Sequence, residues 1–364
     1  QQQMMFHLQK HAFHSRTHIS GKIRSSRRNK HTTVSGHTII ANTLQKYDSP
    51  VFGVPGDYSS KLVVALDDLH HRFINTNDES AAAFAALGYS VAANYQNKAK
   101  LGLVLNTFGV SYGMVNAIAA AYVMNVAVLA ILPQPDQQGR QHMLHHDVKP
   151  NSQKRIFDAV TGVSHVLKSA QNVPQQIVKI ANDCINTSTA GYLEYDNIHA
   201  MQEVEHQDTG NPIASTDFPI KHSVDPLVSN STIAQEIVQK LQSAKQPLFL
   251  SGSTIIRRGL REKMLELSEN TNIPVASTFS GKSSFPETHP NSLGSFSATL
   301  PSPASDYYNE SDCVVLFDDR LRDIEIKGTG LSSGSIHAKL DSLTVTDTGD
   351  KLEIPMEDFM TYLL

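Results

Sequence analysis

The chain has 364 residues, of which 40% are hydrophobic and 18% are charged, and its formal net charge is −4 at pH 7. This length suffices for two domains of ordinary size, and the composition is typical of a globular protein and excludes a repetitive one. The longest apolar stretch, 117–133, is interrupted by Asn125 and is too short to span a bilayer. We therefore expect neither a membrane nor a nucleic acid as a partner.

The first 32 residues form a separate zone that is rich in His, Gln, Arg and Ser, and no Asp or Glu occurs before Asp48. Such a segment cannot bury a core, so we predict a disordered basic tail. Three roles stay open for it: an organellar transit peptide, a metal-binding helical face, or a solvated tail with no specific role. The histidines that would form the metal-binding face are His7, His11, His14 and His18. The expected location is the cytoplasm, or an organelle if the tail is a transit peptide.

The first domain is predicted to span residues 33–199. Its predicted strands are 51–54, 72–75, 101–105, 126–132 and 191–195, and its clearest helices are 79–95 and 111–124. Continuous apolar strands that alternate with helices indicate a parallel sheet covered on both faces. The fold class that follows is α/β, with a doubly wound sheet.

A second α/β domain is predicted at 229–364, after a polar linker at 200–228. Its predicted strands are 247–250, 273–276 and 313–317, and its predicted helices are 231–244, 259–269 and 356–364. Arg257 and Arg258 follow a Ser-Gly-Ser turn; they would either face a phosphate or lie in a solvated turn, and the pattern favours the turn. The cysteines, Cys184 and Cys313, lie in or beside apolar runs, which favours buried free thiols in a reducing compartment.

Two carboxylates follow apolar strands near the start of the first domain. Asp57 comes after Pro55-Gly56, and Glu79 begins an alanine-rich helix. In a doubly wound sheet, ligands bind beyond the carboxyl ends of the strands. Each residue also has a structural alternative, because Asp57 suits a turn or a helix cap and Glu79 suits the positive end of a helix dipole.

Several segments occur in an order that resembles a known family. These are VFGVPGDY, NDESAAAFAALGYSVA, NTFGVSYGMVNAIAAAYVMNVAVLAI and MLHHD, followed by SGKSSFPETHPNSLGSFSATLPSP and ESDCVVLFDDRLRD. Together they resemble the N-terminal and central domains of thiamine diphosphate-dependent 2-keto acid decarboxylases of the pyruvate and indolepyruvate decarboxylase type. The resemblance implies a pyrimidine-binding-type domain followed by a central domain, both doubly wound.

The resemblance also implies a reaction, the decarboxylation of pyruvate or an arylpyruvate to an aldehyde and CO2, with thiamine diphosphate and Mg as cofactors. Glu79 matches the glutamate that hydrogen-bonds the aminopyrimidine ring of the cofactor and favours its imino tautomer. Asp57, His145 and His146 match the proton relays of these enzymes, and adjacent histidines suit general acid–base work near neutral pH. The other residues implied to contact the cofactor are Pro55, Gly56, Thr107, Phe108 and Gly109.

The chain also departs from this pattern. The family has a C-terminal domain whose Gly-Asp-Gly stretch and Asn pair hold Mg and the diphosphate, whereas this sequence ends at Leu364. The expectation is therefore that the diphosphate-binding domain is absent, that the chain supplies no metal ligands, and that it is inactive alone. The loop after the histidine pair, DVKPNSQKR, lacks the Gly-Asn-Gly-Asp run of the family, which leaves the relay geometry open.

Two functions remain after this departure. The first is a decarboxylase that works as a homodimer or tetramer, or with a chain that supplies the diphosphate-binding domain. The second is a non-catalytic truncated paralogue that associates with full-length decarboxylase subunits. The set of Glu79, Asp57, His145 and His146 favours the enzyme, because a purely structural partner has no need of matched proton-handling side chains.

Overall fold

A computed structural model describes most of the chain after residue 31. The described residues are 32–95, 101–135, 149, 151–169, 172–197, 200, 202–206, 232–319, 321–322, 325, 331–332, 334–346, 348–349 and 351–364. The predicted tail up to residue 31, including the four histidines proposed for a metal-binding face, and the His145–His146 pair lie outside them. No described helix has both the length and the apolar character needed to cross a membrane.

The first domain is built on a parallel sheet. The strands of this half of the chain are β1 (Thr32–Ser35), β2 (Val51–Gly53), β3 (Phe73–Asn75), β4 (Gly102–Leu105), β5 (Val128–Gln134), β6 (Val163–Leu167), β7 (Ala190–Asp196) and β8 (Glu203–His206). Its helices are α1 (Gly36–Gln45), α2 (Ser60–Asp68), α3 (Glu79–Tyr95), α4 (Val115–Val123), α5 (Ser152–Asp158) and α6 (Val173–Asn186), with a 3₁₀ helix at Ser111–Met114.

Six of these strands pair in the order β3-β2-β4-β5-β7-β6, and every described pair is parallel. Helices α1, α2 and α6 pack on one face of the sheet, and α3 and α4 pack on the other. Strand β4 is buried along its whole length because both faces are covered. The predicted doubly wound fold of this domain is confirmed.

Three strands of the first half, β1, β6 and β8, were not predicted. Strand β6 lies at the sheet edge and is only partly buried, so it lacks the continuous apolar run of a central strand. Strand β8 lies within the predicted linker and pairs antiparallel with β1, far away in sequence. The boundaries proposed for the two domains remain a prediction.

The second domain is also built on a sheet of mainly parallel strands, which ends in two antiparallel pairs. Its strands are β9 (Pro247–Ser251), β10 (Val275–Ser277), β11 (Ser292–Ser295), β12 (Cys313–Phe317), β13 (Ile336–Ala338), β14 (Leu343–Val345) and β15 (Lys351–Leu352). Its helices are α7 (Thr232–Ser243), α8 (Ser253–Arg257), α9 (Arg261–Thr271), α10 (Pro303–Glu310) and α11 (Met356–Leu363). The order is β11-β10-β9-β12-β13-β14-β15, and only the last two pairs are antiparallel. The mostly parallel sheet confirms the predicted class, and both cysteines are buried and free.

Arginines of the second domain bind the carbonyl end of helix α4 in the first. Arg257 donates from Nε to the carbonyl oxygen of Met124 at 3.3 Å, and Arg322 donates from Nη2 to that of Val123 at 2.8 Å. The last carbonyls of a helix have no partner within the helix, and they carry the negative end of its dipole. Two cationic side chains therefore satisfy groups that the helix itself leaves open.

Helix α6 is held in the same way by Arg258. Its Nη1 donates to the carbonyl oxygens of Ile185 at 3.2 Å and Asn186 at 3.4 Å. Both Arg257 and Arg258 are only partly exposed, and burial lowers the pKa of each guanidinium group. The expectation of a solvated turn is wrong, because this turn is covered by the first domain and its arginines cap two of that domain's helices.

We predict that Arg258→Gln lowers the free energy of unfolding by about 1–3 kcal/mol, because two carbonyls lose a charged donor at the interface between the domains. Denaturant titration of the whole chain would measure the change. Arg155→Gln, at an exposed position on α5, is the matched control and should change stability little. An Arg258 variant as stable as this control would show that these hydrogen bonds do not couple the domains.

Candidate functional site

The candidate site lies at the carboxyl edge of the first sheet, where the strand order changes direction. Strand β2 has β3 on one side and β4 on the other. The helix after β2 and the helix after β3 therefore cover opposite faces of the sheet. The region beyond the carboxyl ends of the strands at such a switch point is the usual position of a ligand in this fold, and we call it the crevice.

Asn106 joins the two loops that border this crevice. It is fully buried, its Oδ1 accepts from the backbone N–H of Val54 at 2.8 Å, and its Nδ2 lies 3.1 Å from Sδ of Met114. Asn106 is not among the residues predicted from sequence. The sequence feature that could have identified Asn106 is its position directly after a buried strand, because a buried amide there must find hydrogen-bond partners within the fold.

The loops after β2 and β4 touch at Gly56 and Thr107. A Cβ atom at Gly56 would lie only 2.6 Å from Cβ and Cγ2 of Thr107, so this approach requires a glycine. Next to it, the ring of Phe108 packs edge-to-face on Tyr58 with centroids 5.8 Å apart. Gly109 then turns the chain with φ of 81°, which a residue with a side chain rarely adopts. The predicted Thr-Phe-Gly turn is therefore a tight, buried wall of the crevice.

The Thr107 hydroxyl in this wall has no hydrogen-bond partner among the described residues. Its Oγ1 is buried, and the residue is only 6% exposed. Leaving a buried polar group unpaired costs about 1–3 kcal/mol, so such groups in native proteins call for an explanation.

Asp57 lies at the exposed rim of the crevice. The N-cap residue of α2 is Ser59, so Asp57 occupies the preceding turn and the helix-cap alternative is wrong. The Ser59 hydroxyl accepts from the N–H of Gly56 at 3.1 Å, and Ser60 Oγ donates to the carbonyl oxygen of Asp57 at 3.1 Å. The hydrogen bonds of these two serines thus fix the turn, so the Asp57 side chain is attached to a backbone of defined conformation.

Glu79 begins helix α3 and is partly buried. The capping bond comes from its neighbour, because Asp78 Oδ1 accepts from the N–H of Ala81 at 2.8 Å. Helix α3 starts beside the 3₁₀ helix that follows the Thr-Phe-Gly turn, since a Cβ at Gly113 would lie 3.9 Å from the backbone nitrogen of Ser80. Glu79 therefore belongs to the same corner of the molecule as the crevice wall, and the helix dipole favours its negative charge.

The structure thus places seven predicted site residues at one sheet edge, six on loops and Glu79 at the start of α3. They are Pro55, Gly56, Asp57, Glu79, Thr107, Phe108 and Gly109. The roles assigned to them, and to His145 and His146, remain predictions. Within the described part of the chain, no group of three or more His, Cys, Asp or Glu residues could hold a metal ion.

The second sheet has a switch point of its own, between β9 and β12, and Asp318 fills it. This buried carboxylate accepts from the backbone N–H groups of Ser253 at 3.0 Å and Thr254 at 3.2 Å, and from the Thr254 hydroxyl at 2.6 Å. A Cβ at Gly252 would lie 2.0 Å from Asp318 Oδ2. The start of α8 is therefore occupied from within, and the nearby Arg257 serves the domain interface.

Comparison with known families matches both domains. Residues 34–156 match the model described as thiamine pyrophosphate enzyme, N-terminal TPP binding domain, and residues 234–348 match thiamine pyrophosphate enzyme, central domain. The matched segments contain both switch points. They agree with the resemblance found in the sequence motifs.

Individual relatives are more distant. The chain is 26% identical to pyruvate decarboxylase of Kluyveromyces lactis over 73% of its own length and 46% of the relative's. It is 28% identical to pyruvate decarboxylase of Candida albicans, over 73% and 47% of the two lengths. It is also 26% identical to a probable acetolactate synthase large subunit of Methanococcus aeolicus, over 80% and 48%. The chain thus spans about half the length of the curated relatives it matches.

We predict that Gly56→Ala destabilises the chain by about 1–3 kcal/mol, because the new methyl group overlaps Thr107 and must push the two loops apart. Gly88→Ala is the matched control: this glycine lies within α3, and a Cβ there would meet nothing within 4 Å. The control should gain up to about 1 kcal/mol through helix propensity. Chemical unfolding in dilute solution measures both, and equal effects would contradict the close approach.

Proposed function

Because the chain belongs to the thiamine pyrophosphate enzyme family, we propose that its crevice binds the pyrimidine half of thiamine diphosphate. The proposed reaction is the non-oxidative decarboxylation of a 2-keto acid, pyruvate or an arylpyruvate, to an aldehyde and CO2. The observation that carries the proposal is that Gly56, Thr107, Glu79 and Asp57 meet at the switch point of a sheet whose segment matches an N-terminal TPP binding domain.

The residues at the crevice fit the cofactor's pyrimidine ring. Thr107 offers a hydroxyl, Gly56 lets the loop after β2 approach it closely, and Phe108 contributes a buried apolar ring. Glu79 would hydrogen-bond a ring nitrogen, with its charge supported by the start of α3. When bound, the cofactor supplies a carbanion and an electron sink for the pair of electrons that CO2 leaves behind.

The chain's own acid–base groups have distinct positions in this proposal. Glu79, partly buried, would hold a proton at the pyrimidine ring. Asp57, exposed on its rigid turn, would pass protons at the rim together with His145 and His146. Proton transfer by a positioned side chain contributes about 10²- to 10⁴-fold to a rate, which sets the scale for the loss of any one of them.

An exposed face of helix α3 supports association with a second chain. Ala81, Phe84, Gly88 and Ala92 recur at helical spacing and are exposed, and 43% of Phe84 is accessible. A helix that is apolar on all sides is normally buried on all sides. The partner would be a second copy, in a dimer or tetramer, or a chain that supplies the diphosphate and Mg²⁺ side of the site.

The same face suits the alternative, a non-catalytic relative that docks on full-length subunits. The two functions differ in what they require of Glu79, because a docking partner has no use for its carboxylate. The relation to an acetolactate synthase also leaves two possible products of pyruvate to distinguish. Variants of Glu79 test the first question, catalysis against docking, and analysis of the product formed from pyruvate tests the second.

Glu79→Gln should weaken thiamine diphosphate binding to the chain by roughly tenfold to a hundredfold, because a hydrogen bond to a charged group is lost. Saturation-transfer NMR would follow the methyl and ring protons of the cofactor's pyrimidine. Asp67→Asn, an exposed change on α2, is the control and should leave these signals intact. Equal signals for both variants would remove Glu79 from the site.

In the native assembly that contains this chain, Glu79→Gln should lower aldehyde release from pyruvate by about 10²-fold or more. Acetaldehyde and acetolactate would be quantified separately, with phenylpyruvate as a second substrate. Acetolactate as the main product would replace the decarboxylase with a synthase. Unchanged turnover in the Glu79 variant would identify the chain as a non-catalytic partner.

A further inference from the structure

A buried series of hydrogen bonds runs behind the turn that follows β4. Ser111 donates from Oγ to Oε1 of Gln153 at 3.0 Å, and Gln153 donates from Nε2 to the hydroxyl of Tyr192 at 3.2 Å. The Tyr192 hydroxyl donates in turn to Oε2 of Glu194. All four residues are at most 5% exposed.

These four side chains connect elements that are remote in sequence. Ser111 begins the 3₁₀ helix, Gln153 lies in α5, and the tyrosine and glutamate both lie in β7. Gln153 Nε2 also contacts the carbonyl oxygen of Pro133, in β5, at 3.3 Å. The Tyr192 ring stacks on Phe157 with centroids 5.1 Å apart and planes within 1°, which fixes the position of its hydroxyl. The series therefore ties the 3₁₀ helix to the centre of the sheet.

The ionised Glu194 determines which group donates in each hydrogen bond of the series. A carboxylate can only accept, so Tyr192 must donate to it, and Gln153 must then donate to Tyr192 and accept from Ser111. Such a buried network is strong when every member is satisfied and costly when one is missing. Removing the acceptor at the Glu194 end would leave the buried hydroxyl donor of Tyr192 without a partner and so weaken the series from that end.

The segment that this series holds is the crevice wall. Ser111 lies two residues after Gly109, and Val110, which precedes the 3₁₀ helix, has no polar side-chain atom that could cap it. Gly109, with φ of 81°, turns the backbone just before this helix. Ser111 provides a buried anchor at the point where this turn ends.

We propose that Glu194 is a positioning residue that acts through Tyr192, Gln153 and Ser111 to hold the 107–109 turn against the crevice. The effect of Glu194 on cofactor binding rests on the proposed function, but its effect on the position of the 107–109 turn does not. Within the described residues, Glu194 is linked to the crevice wall by the bond it accepts from Tyr192, so its effect is transmitted through the hydrogen-bond series.

The test is native-state hydrogen–deuterium exchange on the full chain, with the peptides that cover 107–114 as the readout. Tyr192→Phe keeps the ring stack and removes only the hydroxyl, and Ser111→Ala cuts the series at its other end. Each should speed exchange in this segment by roughly tenfold, the factor expected for one unsatisfied buried group. The double variant should be no faster than the faster single one, because the link is already broken.

Tyr195→Phe is the matched control. Tyr195 lies on the same strand and is 1% exposed, and its hydroxyl has no hydrogen-bond partner in the part of the chain that the structure describes. This change should leave exchange at 107–114 within twofold of the unmodified chain. If Tyr192→Phe behaves like this control, or if all segments speed up equally, the positioning role is overturned. If Tyr192→Phe does not fold, Ser111→Ala decides alone by the same criteria.

The pH dependence of stability gives a second readout. Burial raises the pKa of Glu194 above its usual 4.5, and the hydrogen bond from Tyr192 offsets this only in part; the charge of Lys154 lowers this pKa and that of Asp158 raises it. Burial raises the pKa of Tyr112, and the negative charge of Glu194 adds to this increase.

Because the folded pKa is the higher one, protonation favours the folded state, and this contribution is lost as the pH rises above 4.5 through the folded value. The free energy of unfolding should therefore fall with rising pH more steeply in the unmodified chain than in Glu194→Gln. Parallel curves would contradict a buried, titrating Glu194.

These measurements are independent of the cofactor. If thiamine diphosphate fails to bind the unmodified chain, the proposed function fails while the exchange results keep their meaning. If the cofactor binds and Tyr192→Phe changes neither exchange nor binding, the positioning role fails alone. If both proposals hold, Tyr192→Phe should weaken thiamine diphosphate binding and Tyr195→Phe should not.

Discussion

The parallel pairing of β2 with β3 on one side and β4 on the other is the constraint on which the candidate site depends. It sends the chain to opposite faces of the sheet and so sets the position of the crevice. The pairing is also unusually close: a Cβ at Gly53 would lie 2.0 Å from the carbonyl oxygen of Leu105. Strand ends packed this tightly can bring Gly56 against Thr107 and place Asn106 between the loops. The site is therefore a consequence of backbone packing before any side-chain chemistry is considered.

The second domain adds support from outside the sheet. Its helix α8 packs against α3, the helix that Glu79 begins, while Arg257 and Arg322 hold the end of α4. Both helices on the crevice side of the sheet are thus in contact with the other domain. Because the arginines bind backbone carbonyls, the contact fixes helix ends and does not depend on the side chains of α4. Domain arrangement and site geometry are coupled through these helices.

Sequence alone predicted the central strands and the loops at their ends well, because strands buried on both faces have continuous apolar runs. It did not predict β6, whose edge position leaves it partly exposed, or the pairing of β1 with β8, which is set by tertiary contact. Pro55, Gly56 and Thr107 could be proposed from their motifs. Asn106 and Glu194 could not, since their importance depends on neighbours that only the folded chain brings close. The wrong expectation for the arginine pair has the same origin, because no local pattern shows that a turn will be covered by another domain.

Asp318 has a consequence for how the second domain could change. The domain has a switch point beside the start of a helix, a position where anions often bind in this fold class, and here an internal carboxylate held by backbone and hydroxyl donors fills it. An incoming anion would have to expel this group and overcome its charge. Binding of an anionic cofactor at this point would therefore first require the loss of the Asp318 carboxylate. While Asp318 is present, it fills the position itself.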